Sequence, residues 1–291
     1  MKELLEKIAV KGFDYYIAEG DKQVAAQEFD AGLSCYRKVG ELKSNDQNSH
    51  KRWNEAVAQK IAWIKTKQHE ADEKLRQAGF SYLRTRTYSG GKTHTVKEYR
   101  HDKTGLEFVL IPGGSFLMGS EDGPDDEKPM RRVRVESFLL SKTEVTQAVW
   151  EKIMGKNPSY FKGANRPVER VSWDDCQKFC QRTGLRLPTE AEWEYACRSG
   201  TTTKYYWGDS MDGAYAWYDS NSGDETHPVG EKKANAFGLY DMSGNVWEWC
   251  QDWYDSDYYS KGENNNPTGP STGSYRVGRG GSYCNVASVC R

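Results

Sequence analysis

Apolar residues recur at helical spacing only in the first quarter of the chain. Phe29, Leu33, Tyr36 and Val39 are spaced 4, 3 and 3, and Trp53, Val57, Ile61 and Ile64 are spaced 4, 4 and 3. Each set makes one apolar stripe along a helix. Ser44-Asn-Asp-Gln47 has capping-box spacing and opens the second helix, and Gly79 is placed to close it. Glu19-Gly-Asp and Gly40-Glu-Leu-Lys-Ser-Asn read as inter-helix turns. The pattern predicts a helical module over 1–80, a hairpin or small bundle. It either docks and spaces the rest of the chain or binds a protein partner as a helix-pair module. A single visible repeat argues against a solenoid.

From Phe80 the grammar changes. Tyr82–Tyr88, Ser89-Gly-Gly91 and Thr93–Tyr99 read as strand, turn, strand, so 81–103 is a β-hairpin or an extended linker. Leu106–Ile111 is a short apolar strand. Beyond it, three capped helices are predicted: one opening at Thr143-Glu-Val-Thr-Gln and ending near Gly155, one from Ser172 to Gly184, one from Thr189 to Gly200. Leu185-Arg-Leu-Pro-Thr reads as a strand feeding the third helix. Gly244-Asn245 reads as a turn, and Trp247 and Trp249 alternate as on a half-buried strand. Turn-rich stretches at 200–235 and 255–275 are long enough to be functional or pinned by ions. The fold class is α+β, with 104–291 as one domain.

Composition narrows the function classes. With 41 basic and 42 acidic residues the net charge is −1, so no global field favours nucleic acid or an anionic membrane. Mean hydropathy is −0.88, and no apolar run reaches the length of a bilayer span. The N-terminus has no signal-peptide core, so the expectation is a soluble protein, cytoplasmic unless a leader has been removed. The seven cysteines, scattered over 35, 176, 180, 197, 250, 284 and 290, show no zinc spacing and read as small buried apolar residues. Seven of the ten tryptophans lie between 173 and 253, which predicts an irregular core built from aromatic plates.

The C-terminus is patterned differently again. A framework of Arg279-Gly-Gly-Ser-Tyr283, Ala287 and Cys290-Arg291 surrounds Cys284, Asn285, Val286, Ser288 and Val289, which follow no period and form no pairs. Such a pattern fits a rigid scaffold with displayed positions that are free to change.

Several ordered blocks together carry a family resemblance. They are Ile111-Pro-Gly-Gly-Ser-Phe-Leu-Met-Gly-Ser120, Asp126-Glu-Lys-Pro129, Glu144-Val-Thr146, Arg166–Trp173, Leu185–Ala196, Asn235–Trp249 and Arg279–Tyr283. The set resembles the formylglycine-generating-enzyme (sulfatase-modifying factor) domain, and it does not cover residues 1–100. The resemblance implies a C-type-lectin-like fold. It also implies a structural calcium held by Asp241, Gly244, Val246 and Glu248, two carboxylates and two backbone carbonyls that suit a hard cation. The plain alternative is that Asp241 caps a turn and Glu248 is solvated.

In the family's oxidases two cysteines five apart bind copper(I), which two thiolates suit. Here Cys290 takes the second place, but Asn285 takes the first. Cys284 stands one position early, and on an extended strand a one-residue slip turns a side chain to the other face. A branch of the fold family is the variable protein of diversity-generating retroelements, in which asparagine codons near the chain's end are mutated at adenines. The framework Gly-Gly-Ser-Tyr-x-x-x-Ala-x-x-Cys-Arg is similar to theirs.

The leading expectation is therefore non-catalytic binding of a protein or other macromolecule through Tyr283, Cys284, Asn285, Val286, Ser288 and Val289. The alternatives are a copper oxidase using Cys284 and Cys290 on a sulfatase cysteine, or an interaction protein acting through helices 1–80. The family continues past Cys-Arg, so the domain is expected to be cut short at Arg291.

Overall fold

The computed structural model describes residues 47–291, and the chain divides into two units between Ala78 and Gly79. The stripe over Phe29–Val39 and the cap at Ser44 lie outside the described residues. Helix α1 spans Gln47–Gln77. Val57 and Ile64 are buried on it and Trp63 is exposed, as the apolar stripe requires. Gly79, at φ +82°, takes the left-handed conformation that ends the helix.

The second unit is α+β, built on three small antiparallel sheets. Strands β1 (Phe80–Gly90) and β2 (Lys92–His101) form a hairpin, so most of the segment at 81–103 is paired strand, with Asp102 and Lys103 in the turn that follows. Strand β3 (Glu107–Ile111) and a later strand β6 (Phe138–Ser141) extend it to a four-stranded sheet in the order β1-β2-β3-β6. Between them, β4 (Gly114–Met118) and β5 (Arg131–Val135) make a second hairpin. Alternation is clearest in β5, where Arg131, Val133 and Val135 point inward and Arg132 and Arg134 outward.

Three helices follow, each with a side-chain N-cap. In α2 (Gln147–Met154) the Thr146 hydroxyl accepts from Val149 N. The helix therefore starts three residues after the expected Thr143. Residues 143–146 stay extended because Val145 O accepts from Val168 N. Helices α3 (Trp173–Thr183) and α4 (Glu190–Arg198) carry the capping boxes that Ser172 and Thr189 predict. Left-handed Ser199 caps α4, with Gly200 one place beyond.

Leu185–Pro188 is not a strand. Pro188 has no N–H to offer a ladder, and its carbonyl accepts a single bond from Gln251 N. The last sheet pairs β7 (Glu248–Trp253) with β8 (Arg276–Arg279), and a four-residue helix α5 (Tyr258–Lys261) lies between them in sequence. Trp247 precedes β7 and is exposed, while Trp249 within it is half-buried.

The core packs α4 between the β4–β5 and β7–β8 sheets. Trp193, Val109, Ile111, Val133, Leu239 and Cys250 are each fully buried there. Between α4 and β7 no helix or strand occurs, yet the segment is held by buried polar groups. Asn235 shows how: its Nδ2 donates to Ala196 O and Cys197 O, and its Oδ1 accepts from Phe237 N and Leu239 N. Of the helical cysteines, Cys180 is buried and Cys176 half-buried on α3.

Candidate functional site

Two irregular segments meet at one hub. Asn245 is fully buried at φ +57°, and every polar atom of the residue is used. Its N–H donates to Trp217 O and its carbonyl accepts from Tyr283 N at 2.8 Å. Its Oδ1 accepts from His227 N, and its Nδ2 donates to Glu144 Oε2 at 3.0 Å and to His227 O. Gly244, at φ +80°, packs so closely on Trp217 that a Cβ would run into the Trp217 carbonyl. The hub therefore fixes both the turn that carries Asp241–Glu248 and the start of the C-terminal loop.

The turn gathers acid. Asp241, also at positive φ, is buried; its Oδ2 accepts from Gly230 N at 2.6 Å, while its Oδ1 has no hydrogen-bond partner. Glu248 is half-buried, and its Oε2 accepts from Trp193 Nε1 at 3.0 Å. Glu144 joins them from the segment before α2 and accepts from Val246 N.

Burial raises the carboxyls of Asp241 to about 6 and Glu248 to about 7. Burial, then the charges of Asp241 and Glu248, raise Glu144 well above the usual carboxylate range. Among the described residues no three His, Cys, Asp or Glu side chains are grouped in metal-holding geometry. The expected site asks for two carboxylates and two carbonyls, however. The buried, unpartnered Oδ1 of Asp241 is the kind of oxygen that a hard cation accepts. Glu144 had no role in the sequence analysis. Its partners lie about a hundred residues away, and no local spacing could have named it.

The C-terminal loop is held by its backbone. Gly280 and Gly281 take positive φ, and a Cβ on Gly281 would fall 2.9 Å from Cys290 Sγ. Tyr283 packs edge-on against Phe161 at 5.4 Å, and its carbonyl accepts from Ser222 Oγ. Asn285 O accepts from Asp219 N, and Ala287 O accepts from Tyr205 Oη at 2.9 Å. Between these anchors Cys284, Val286, Ser288 and Val289 are exposed, Val286 by 54%. Asn285 is half-buried, and its Oδ1 accepts from Ser282 Oγ.

The two candidate copper ligands are unlike. Cys284 is exposed, with Sγ 3.4 Å from Ser282 Oγ. Cys290 is fully buried, and burial pushes its thiol up to about 11. At neutral pH Cys290 is a neutral core thiol, and Asn285 occupies the other position.

This mixture of small sheets, capped helices and a long pinned loop defines a C-type-lectin-like domain of the formylglycine-generating-enzyme type. The profile described as Sulfatase-modifying factor enzyme 1-like domain matches residues 93–291, and the chain belongs to that family. It is 32% identical over 251 residues to a formylglycine-generating enzyme of Streptomyces coelicolor, covering 62% of this chain and 80% of that protein. Among solved structures it resembles Treponema denticola variable protein 1, with TM-score 0.58 and 31% identity over 72% of this chain and 91% of that one. It also resembles PvdO from Pseudomonas aeruginosa, with TM-score 0.59 and 26% identity over 67% and 88% of the two chains. No helix among the described residues is long and apolar enough to cross a membrane.

Proposed function

We propose that the chain is a non-catalytic binding protein of the retroelement variable-protein type, which displays Tyr283, Cys284, Asn285, Val286, Ser288 and Val289 to a protein or other macromolecular ligand. One observation carries this reading. Within a single loop the residues outside the sequence framework are exposed or half-buried, while Gly280, Gly281, Ser282 and Cys290 of the framework are buried. Backbone carbonyls and amides hold the loop, so its side chains are free to vary without loss of its anchors. Similarity to Treponema denticola variable protein 1 supports the same reading. The test is to display the chain with positions 284, 285, 286, 288 and 289 randomised and select on an immobilised protein. Binders changed at those positions alone support it; a selection that yields binders only after framework changes refutes it.

Calcium is the structural ion of this proposal, with Asp241 and Glu248 as its carboxylates and Gly244 and Val246 as its carbonyl donors. The N-terminal residues 1–80, whose sequence reads as helical, are proposed to hold a separate protein partner.

A second reading rests on the 32% identity to a formylglycine-generating enzyme: a copper oxidase acting on a sulfatase cysteine. It is tested by incubation with copper(I), oxygen and a sulfatase-derived cysteine peptide, with mass spectrometry for the aldehyde. Turnover that is lost in Cys290→Ser would establish this reading in place of the first. The unlike states of Cys284 and Cys290 argue that no aldehyde forms.

A further inference from the structure

The arch 157–170, between α2 and α3, adjoins the C-terminal loop on a backbone that side chains pin. Gln147, 1% exposed at the start of α2, spends its whole amide on the arch. Its Nε2 donates to Phe161 O at 2.7 Å and to Pro167 O at 3.1 Å, and its Oε1 accepts from Asn157 Nδ2 and Gly163 N. Buried Ser159 ties the two limbs together: its Oγ donates to Glu169 O and accepts from Glu169 N. The Glu169 carboxylate accepts in turn from the amides of Tyr160 and Phe161.

On this pinned backbone Tyr160 is 63% exposed. A ring so exposed buries little area and adds little to folding. It meets Phe161 edge-on at 5.0 Å, and Phe161 meets Tyr283 edge-on at 5.4 Å, so Tyr160 is continuous with the displayed positions. The Arg170 guanidinium lies over the same ring, 4.7 Å from its centroid. The Arg170 backbone is left-handed, at φ +58°, which is uncommon for this residue type and persists only where the surroundings hold it. Its side chain is 63% exposed, and its Nε is 3.8 Å from Glu169 Oε2, too far for a hydrogen bond.

These two side chains suit a binding face better than a folded core. Tyrosine and arginine dominate the energetics of protein interfaces, and a ring on a fixed backbone loses little entropy on contact. The loop from Tyr283 to Cys290 has no acid or base of its own besides its thiols. Glu169 is turned to the amides of the arch, which leaves the exposed Arg170 fork as the charge beside the aromatic row. A planar fork matches a carboxylate. Exposed Asp219 adjoins the loop at Asn285, so the match is to one local carboxylate and not to an acidic partner as a whole.

We infer that Tyr160 and Arg170 are the fixed half of the binding face. A folded protein partner lays apolar surface across Tyr160 and the displayed loop, and sets one aspartate or glutamate carboxylate on the Arg170 guanidinium. The inference rests on the variable-loop reading: the five free positions choose the partner, and these two residues hold whichever is chosen. The probe is ovalbumin, immobilised either native or with its carboxyl groups amidated. The full chain, randomised at 284, 285, 286, 288 and 289, is displayed and selected on native ovalbumin, and several clones are purified. Tyr160→Ala weakens their binding about tenfold or more, as loss of a hot-spot residue does. Arg170→Gln keeps the length of the side chain without its charge; it weakens binding about tenfold and abolishes the preference for native over amidated ovalbumin. Tyr82→Ala, at a tyrosine 55% exposed on β1, leaves binding unchanged. All three variants melt as their parent does, because each side chain is exposed. The inference is overturned, and the loop reading survives, if the clones bind but Tyr160→Ala and Arg170→Gln do no more than Tyr82→Ala. It is overturned equally if the preference for native ovalbumin survives Arg170→Gln. If the selection yields no clone that binds, the loop reading fails and the inference falls with it.

Discussion

Residues 241–249 and 283–289 are neighbours joined by the bond from Tyr283 N to Asn245 O, and neither is held mainly by regular structure. They use the same device, backbone bonds at positive φ or in tight turns, to opposite ends. In the first, the side chains that lead into the turn point inward: Asp241, Met242, Ser243 and Asn245 are buried and few substitutes fit, whereas Trp247 beyond them is exposed. In the second, the backbone is anchored and most side chains between Tyr283 and Cys290 point out. An irregular segment is therefore not by itself a variable one. What decides is whether the fixed atoms belong to the main chain alone or to the side chains as well.

The largest effect should come from the hub. Gly244→Ala puts a methyl group into the Trp217 carbonyl at a left-handed backbone position, and Asn245→Ala strips at least three buried partners. Each buried group left unpaired costs about 1–3 kcal/mol, so both variants should lose cooperative melting or fall by several kcal/mol. Trp193→Ala removes a fully buried indole and the donor to Glu248, at about 3–5 kcal/mol. A calorimetric melt within about 0.5 kcal/mol of wild type for any of the three would erase the contrast.

Calcium comes next. At a hundredfold excess over its dissociation constant it should add about 2.7 kcal/mol. The gap between melts in calcium and in EDTA should depend on pH. Burial raises the carboxyls of Asp241 and Glu248 to about 6 and about 7. Their protonated forms favour folding, a contribution complete below the ordinary carboxylate range and lost as pH rises through those values. Calcium takes the ionised forms and restores what is lost. The gap should therefore widen from about pH 4 to about pH 7. A gap that is absent, or constant with pH, removes the ion from the turn.

Thiol labelling is a subtler measure. Exposed Cys284 should react with iodoacetamide in the folded protein. Cys290, buried and with its thiol raised to about 11, should react only on unfolding. Mass mapping that finds Cys290 labelled as fast as Cys284 would make both cysteines surface groups and revive the paired-thiol reading.

The sequence told most where the cause is local. The caps at Ser172 and Thr189 are side chain to backbone bonds three residues long, and they form where their spacing predicts. The hairpin turn at Ser89-Gly-Gly91 and the exposure of the C-terminal positions were legible for the same reason. Thr143 misled because it stands beside a residue, Glu144, that tertiary bonds hold out of the helix. The expected strand at Leu185–Thr189 failed because a proline breaks its ladder and only one distant amide meets it. The hub at Asn245 and the acid at Glu144 join segments about a hundred residues apart, and no window of sequence contains them.

The most direct test compares two libraries in the full chain. One randomises 284, 285, 286, 288 and 289, and the other randomises 241, 244, 245, 246 and 248. Each is displayed on cells and sorted for resistance to protease. The account predicts that the first library keeps most residue types at each position, with surface-like effects within about 0.5 kcal/mol, while the second collapses to nearly the wild-type residues. Equal intolerance in the two libraries would place the C-terminal positions in the core and contradict the display surface.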